Sequence, residues 1–339
     1  MPDPEIARSD GDFVFETCGH SLPPRRVCDV CKTSSRGFVA CSNRCLRAHQ
    51  EVAHDPALPA DTATRMRRAL ADRHRESADL SELYARHRER VMALIPAEPA
   101  GGTLCVFGAG KCDDLDLPRL AHRFAKIHLV DLDGEAIERA RDRQPSAVRD
   151  AIVLHGGVDL SGLLARLDEW GDAFPDDDAL HEAVFGAPAA VVDPLGGPFD
   201  VTVSTCVLSQ LVLPFQKAWA ASDTTWEKLG AATMAVHVGS LARSTAQHGA
   251  VSLVFDVLSC DVASELAAFR ERPSEELETC VEAQARSGAV VLEPDPFTLL
   301  ALIGNSGLAA PPGPQPTGPW LWDIGPTLQL VYAIGFRRA

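Results

Sequence analysis

The chain has 339 residues, 46% hydrophobic and 23% charged, the balance of an ordinary globular protein with a core sufficient for one large or two modest domains. Its net charge of −15 is uneven, because residues 1–100 hold 15 basic and 15 acidic side chains and the remainder holds 17 against 32. Such an acidic surface disfavours nucleic acid as an unaided partner; the start MPDPEIARSDGDF has no apolar signal region and no run approaches ~18 apolar residues, so a cytoplasmic protein without membrane association is expected.

Residues 1–60 read as a metal-organised unit. Cys18, His20, Cys28, Cys31, Cys41, Cys45, His49 and His54 fall within 37 residues, enough for two sets of four ligands. Tetrahedral Zn²⁺ takes four such groups, and the pairs Cys28-x2-Cys31 and Cys41-x3-Cys45 each present two from one turn. With few large apolar residues beyond Phe13, Phe15, Val27, Val30, Phe38 and Val39, so short a segment needs the metal to fold, which makes zinc structural. The order of pairs, and FVACSNRC in particular, resembles cross-brace fingers of the MYND and B-box kind. That resemblance implies one zinc on Cys18, His20, Cys41 and Cys45 and a second on Cys28, Cys31, His49 and His54. A single all-cysteine site at Cys28, Cys31, Cys41 and Cys45 is the simpler alternative. Closed sites of this type do no chemistry, and the fingers resembled usually bind a protein or peptide partner; the basic residues from Arg25 to Arg47 otherwise form a solvated face.

Residues 61–100 form a helical connector. From Asp61 to Ile95 there is no Pro or Gly, and Leu70, Leu80, Leu83, Tyr84, Val91, Leu94 and Ile95 make an apolar stripe at helical spacing. Tyr84 and Arg88 lie on this stretch. The run Pro96 to Gly102 ends the helix as a linker.

Residues 101–339 open with a nucleotide-binding half-unit. Leu104 to Phe107 is an apolar run, Gly108-Ala109-Gly110 turns it, and Ile127 to Val130 is the next run, closed by Asp131. A carboxylate at the tip of the second strand, about 20 residues on, can bind both ribose hydroxyls. Electrostatics then selects the ligand. A dinucleotide pyrophosphate needs a helix start free of negative charge, yet Asp113, Asp114 and Asp116 stand here. S-adenosylmethionine, which carries an ammonium and a sulfonium, is attracted instead. Asp116 also reads as the cap of a helix starting at Leu117-Pro118, and Asp113 and Asp114 as solvated if they bind nothing.

VFGAG and LVDLD resemble the glycine-rich and acidic motifs of class I S-adenosylmethionine-dependent methyltransferases, from about Gly101 to the C-terminus. The resemblance implies an α/β fold, a doubly wound seven-stranded Rossmann-like sheet with its seventh strand inserted antiparallel. The expected elements follow in order: a helix Gly134 to Arg143, a strand Ala151 to His155, a long connection over 172–198, a strand Phe199 to Ser204, a helix beginning at Thr205 to Leu211, a helix Thr224 to Gln247 stopped by His248-Gly249, and a strand Ala250 to Leu258. Helices near 262–271, 274–287 and 297–303 come next, then strands Trp320 to Ile324 and Leu328 to Ile334.

By the resemblance, the glycine turn (Gly108, Ala109, Gly110) cradles the methionine part, Asp131 the ribose and Asp159 the adenine, with Phe107, Asp113, Leu132, Thr205 and Cys206 completing the cofactor set. Asp159 alternatively caps a helix near Ser161. No Asn/Asp-Pro-Pro-aromatic run follows the fourth strand; Cys206 there reads as a buried small hydrophobe, while Ser209 and Gln210 can line the pocket. A hydroxyl acceptor needs a base, for which His155, His237 and Asp256 are the candidates. The acceptor itself, small molecule or protein, is not encoded in any motif. The competing classes are a non-catalytic scaffold whose finger binds protein and a dinucleotide oxidoreductase.

Overall fold

The computed structural model describes residues 82–97, 99–170, 175–211, 223–259, 266, 270, 274–286, 294–324 and 327–339, and near the start a short antiparallel hairpin, Ile6–Ser9 with Asp12–Phe15. The eight expected zinc ligands from Cys18 to His54, Leu70 and Leu80 of the connector, and most of the helix expected near 262–271 lie outside the described residues. Among the described residues no helix is long and apolar enough to cross a membrane.

Seven strands form one mixed sheet: β1 (Thr103–Phe107), β2 (Lys126–Asp131), β3 (Ile152–Gly156), β4 (Phe199–Thr205), β5 (Thr245–Ser259), β6 (Gln315–Asp323) and β7 (Leu328–Arg337). Their spatial order is β3-β2-β1-β4-β5-β7-β6. Strands β1 to β5 are parallel, and β7 runs antiparallel to both neighbours. The order reverses between β1 and β4, and the crevice at the carboxyl ends of those two strands is where a sheet of this kind admits a ligand.

The helices are α1 (Ala85–Leu94), α2 (Leu117–Ala121), α3 (Gly134–Asp142), α4 (Ser146–Arg149), α5 (Leu164–Trp170), α6 (Asp177–Val192), α7 (Asp223–Ser244), α8 (Ser274–Arg286) and α9 (Pro296–Asn305). They cover both faces, which is why β1 is apolar throughout rather than alternating. Leu104 and Val106 pack with Val91, Met92 and Ile95 of the α1 region, Leu120 of α2 and Ile137 of α3. Cys105 and Phe107 point the other way, toward Val192, Leu241 and Leu299. Each fully buried side chain of this size contributes roughly 1.5–3 kcal/mol of transfer free energy, so Val91, at 0% exposure, anchors α1 to the sheet. The apolar stripe of the connector therefore ends inside the sheet's own core.

Two expectations are corrected. The long helix ends at Ser244, and β5 begins at once with Thr245 instead of at Ala250. The Thr245 hydroxyl donates to Thr202 on β4 at 2.9 Å and Phe199 pairs with Thr245, so cross-strand bonds capture the helix end; His248, with φ +62, becomes an irregularity inside the strand. The helix expected from Thr205 does not form there: β4 runs through Thr205, Cys206 takes φ +43, and a single 3-10 turn, Leu208–Gln210, follows. The connection over 172–198 contains the 16-residue helix α6, whose start is fixed by the Asp176 carboxylate accepting the Ala179 N–H at 2.9 Å. Its Pro188 packs beside Gly239 of α7, where a side chain would come within 3.2 Å of the ring.

Candidate functional site

At the carboxyl end of β1 the chain reverses through Gly108 (φ +74) and Gly110 (φ +47). The first glycine is required by packing: a Cβ there would lie 2.5 Å from Cβ of Val207. The Gly108 and Ala109 N–H groups donate to the Val130 carbonyl at 2.9 and 3.2 Å. Asp131, only 8% exposed, then fastens the turn: one carboxylate oxygen accepts the Gly110 N–H and the other the Asp133 N–H, both at 2.8 Å. Asp133 in turn caps α3 by accepting the Ala136 N–H. Glycine turn and second acidic motif are thus one hydrogen-bonded unit.

The other expected cofactor residues divide by environment. Phe107 is 0% exposed and its ring lies against His237, so only its backbone reaches the crevice. Leu132 is partly buried against the apolar cluster that Leu163, Leu180 and Leu229 build. Asp113 turns to the outer side of the loop, 3.4 Å from Lys111 and 3.9 Å from Arg143, on a charged cleft it shares with Arg88 and Pro118. Asp159 accepts three bonds from its own chain, from the Ser161 N–H at 2.9 Å, the Ser161 hydroxyl at 2.6 Å and the Leu164 N–H at 2.8 Å, which is the capping arrangement ahead of α5. The Thr205 hydroxyl donates to the Gly108 carbonyl at 3.2 Å and ties β4 to the turn.

Asp114 is not solvated, contrary to the alternative reading. It is 9% exposed, and burial pushes its carboxyl up to about 6 from the usual 3.8, against the favourable influence of the Thr205 hydroxyl and of Arg88. Among the described residues it forms no salt bridge. Its neighbour Asp116 does cap α2, accepting the Arg119 N–H at 2.9 Å.

Beside Cys206 stands an aromatic group assembled from two distant parts of the sequence. His87 of α1 is 1% exposed, and its Nδ1 accepts the Trp320 indole N–H at 3.2 Å. An indole can only donate, so the proton of this neutral imidazole sits on Nε2, which faces Cys206 Sγ at 3.8 Å. Burial pulls the His87 pKa down to about 3 and drives the Cys206 thiol well up. The ring of Trp322 stacks on His87 at 4.2 Å, and Tyr84 meets Trp322 edge-to-face at 4.9 Å. This cluster was not legible in the sequence beyond Tyr84, because 233 residues separate His87 from Trp320.

The three base candidates are not brought together. His155 of β3 hydrogen-bonds His128 of β2 at 2.9 Å, and His128 packs on Phe199. His237 is 0% exposed on α7 and bonds the Ser204 hydroxyl at 2.8 Å, with its pKa lowered to about 4 by burial. Asp256 alone occupies the edge near Cys206: it sits at the carboxyl end of β5, and the Ser209 hydroxyl reaches its two oxygens at 2.9 and 3.0 Å. Burial raises its carboxyl pKa. Gln210 bonds back to the Cys206 carbonyl at 2.8 Å.

No protein-family model and no curated protein matches this chain. It is similar to solved structures that include methyltransferases. CalS10, an amino pentose methyltransferase from Micromonospora echinaspora, shares 18% identity over 59% of this chain, with a TM-score of 0.27; only 58% of that structure is spanned. The N-methyltransferase NodS from Bradyrhizobium japonicum WM9 shares 13% over 76% of this chain and 97% of its own, with a TM-score of 0.37. The YcgJ protein from Bacillus subtilis shares 13% over 76% and 99%, with a TM-score of 0.38. At these identities and TM-scores the likenesses carry no argument about activity.

Proposed function

We propose that this chain binds S-adenosylmethionine at the glycine turn and transfers its methyl group to an acceptor held beside Cys206. The observation that carries this reading is Asp114, a buried carboxylate with no salt bridge among the described residues, next to a turn whose own acidic partner is Asp131. A pyrophosphate would meet repulsion there, whereas a ligand with an ammonium and a sulfonium adds positive charge to the weak influence of Arg88.

In this reading the Asp131 carboxylate, which accepts the Gly110 and Asp133 N–H groups, also accepts from the ribose hydroxyls. Asp114 takes the ammonium. Leu132 supplies apolar contact to adenine, and Asp159 shapes the loop beside it. Phe107 and Cys206 contribute through the backbone, since both side chains are buried. The bound cofactor supplies a methyl group already activated on sulfur, so the protein's principal task is to hold the acceptor in line at ~3 Å. We assign residues 1–60 to a finger with two structural zinc ions that recruits a protein or peptide, 61–100 to a connector, and 101–339 to the methyl-transfer unit.

Calorimetric titration of the full chain with S-adenosylmethionine and, separately, with a nicotinamide dinucleotide tests the assignment. Binding of the first alone supports it. Binding of the dinucleotide alone, or of neither, overturns it.

A further inference from the structure

The loop from Gly110 to α2 carries Asp114 through an unfavourable conformation. Cys112 takes φ +57, a region that a residue with a Cβ occupies at a cost unless its surroundings hold it there. Turns on both sides begin the restraint: the Cys112 N–H donates to the Ala109 carbonyl at 2.8 Å, and the Leu115 N–H donates to the Cys112 carbonyl at 3.2 Å. Two guanidinium groups complete it. Arg143, just past α3, donates to the Lys111 carbonyl at 2.8 Å from an exposed position, and Arg88 of α1 donates through Nε to the Asp113 carbonyl at 2.8 Å from a partly buried one.

The Arg88 bond acts on the peptide that leads to Asp114. The Asp113 carbonyl and the Asp114 N–H belong to one planar unit, so holding the oxygen fixes the direction of the N–H. That N–H is one of the groups favouring the ionised Asp114 carboxylate. A bond at the carbonyl also polarises the unit and strengthens what its N–H offers. Arg88 is held in register with the loop, because α1 tracks it at neighbouring positions: Glu89 pairs with Arg119 of α2 at 2.7 Å, and Met92 Sδ accepts the Asp116 N–H at 3.5 Å. Buried His87 and Val91 fix the helix on its other side. Of the charged neighbours of Asp114, Asp113 opposes its ionisation and Arg88 supports it, and Asp114 in turn acts on Tyr84 and on the Cys206 thiol.

We propose, resting on the assignment of the cofactor ammonium to Asp114, that Arg88 is a positioning residue of the cofactor site: through the Asp113 carbonyl it holds Asp114 where the ammonium docks. Arg88 acts through Asp114 rather than on the ligand. The end of the connector is thereby part of the construction of the cofactor site.

The test is calorimetric titration of the full chain with S-adenosylmethionine and with methylthioadenosine, which keeps the nucleoside and lacks the ammonium. Arg88→Met is expected to weaken S-adenosylmethionine by about tenfold and to leave methylthioadenosine within about twofold of wild type. In the Asp114→Asn background the same substitution should cost S-adenosylmethionine less than about twofold, because the group it positions is gone. Equal losses for the two ligands would show a general collapse of the site and overturn the proposal. A loss of about tenfold that persists with Asp114→Asn, or no loss in either background, overturns it as well. Failure of the wild-type chain to bind S-adenosylmethionine overturns the methyl-transfer reading, and the proposal with it. Binding by wild type that Asp114→Asn leaves unchanged refutes the ammonium assignment alone.

Discussion

Replacing Asp131 with alanine should weaken both the fold and the site, because one carboxylate serves both. The substitution orphans the Gly110 and Asp133 N–H groups, each held at 2.8 Å in a place only 8% exposed. An unsatisfied buried donor costs about 1–3 kcal/mol, and with some relief from water at the loop the sum is roughly 2–4 kcal/mol. At about 2–4 °C per kcal/mol for a domain of this size, the melting temperature should fall by roughly 4–16 °C. The total stability of such domains, about 5–15 kcal/mol, leaves the variant folded at room temperature. Loss of hydrogen bonds to two ribose hydroxyls should weaken S-adenosylmethionine by a further 10- to 100-fold or so. Circular dichroism melts and calorimetric titration measure the two effects separately. Asp131→Asn, which keeps one acceptor oxygen, should fall between wild type and alanine in both. A melting temperature within about 1 °C of wild type would refute the latch between turn and strand; an unchanged cofactor affinity would remove Asp131 from the ligand site.

Asp114→Asn should behave oppositely. A carboxyl raised to about 6 is ionised at neutral pH at a cost of roughly 3 kcal/mol, a destabilisation present above pH 6 that fades as pH falls toward 3.8. The variant should therefore melt higher than wild type at pH 7.5, lose that advantage near pH 4, and bind S-adenosylmethionine more weakly; a lower melting temperature at pH 7.5 would contradict the burial argument. Gly108→Ala forces a Cβ to 2.5 Å from Val207 Cβ at a positive φ and should abolish cofactor binding, with titration and melting as the readouts. Elemental analysis should find about two zinc ions per chain; one would favour the all-cysteine site and none would discard the finger. A chain beginning at residue 61 should keep its cofactor affinity and lose activity on the natural acceptor, and failure to bind the cofactor would place the finger in the active site.

Local chemistry made much of the sheet legible from sequence. Apolar runs ended by glycine at 104–110 and by an acid at 127–131 dictate strand and turn, since an L residue cannot take the place of Gly108 and a strand buried on both faces must be apolar. The final antiparallel pair was equally readable, because turn residues between two apolar runs leave the chain no other return. Element ends were less so: Ser244 and Thr245 could extend a helix, and it is the pairing of Thr245 with Phe199 and Thr202, more than forty residues away, that marks the start of the strand. The acceptor side depended on tertiary structure throughout. Nothing in the neighbourhood of Asp114 marks it as buried, and nothing around His87 names Trp320 as its donor. Their environments come from strand order and from α1 packing across β6, long-range contacts that no periodicity or local spacing encodes.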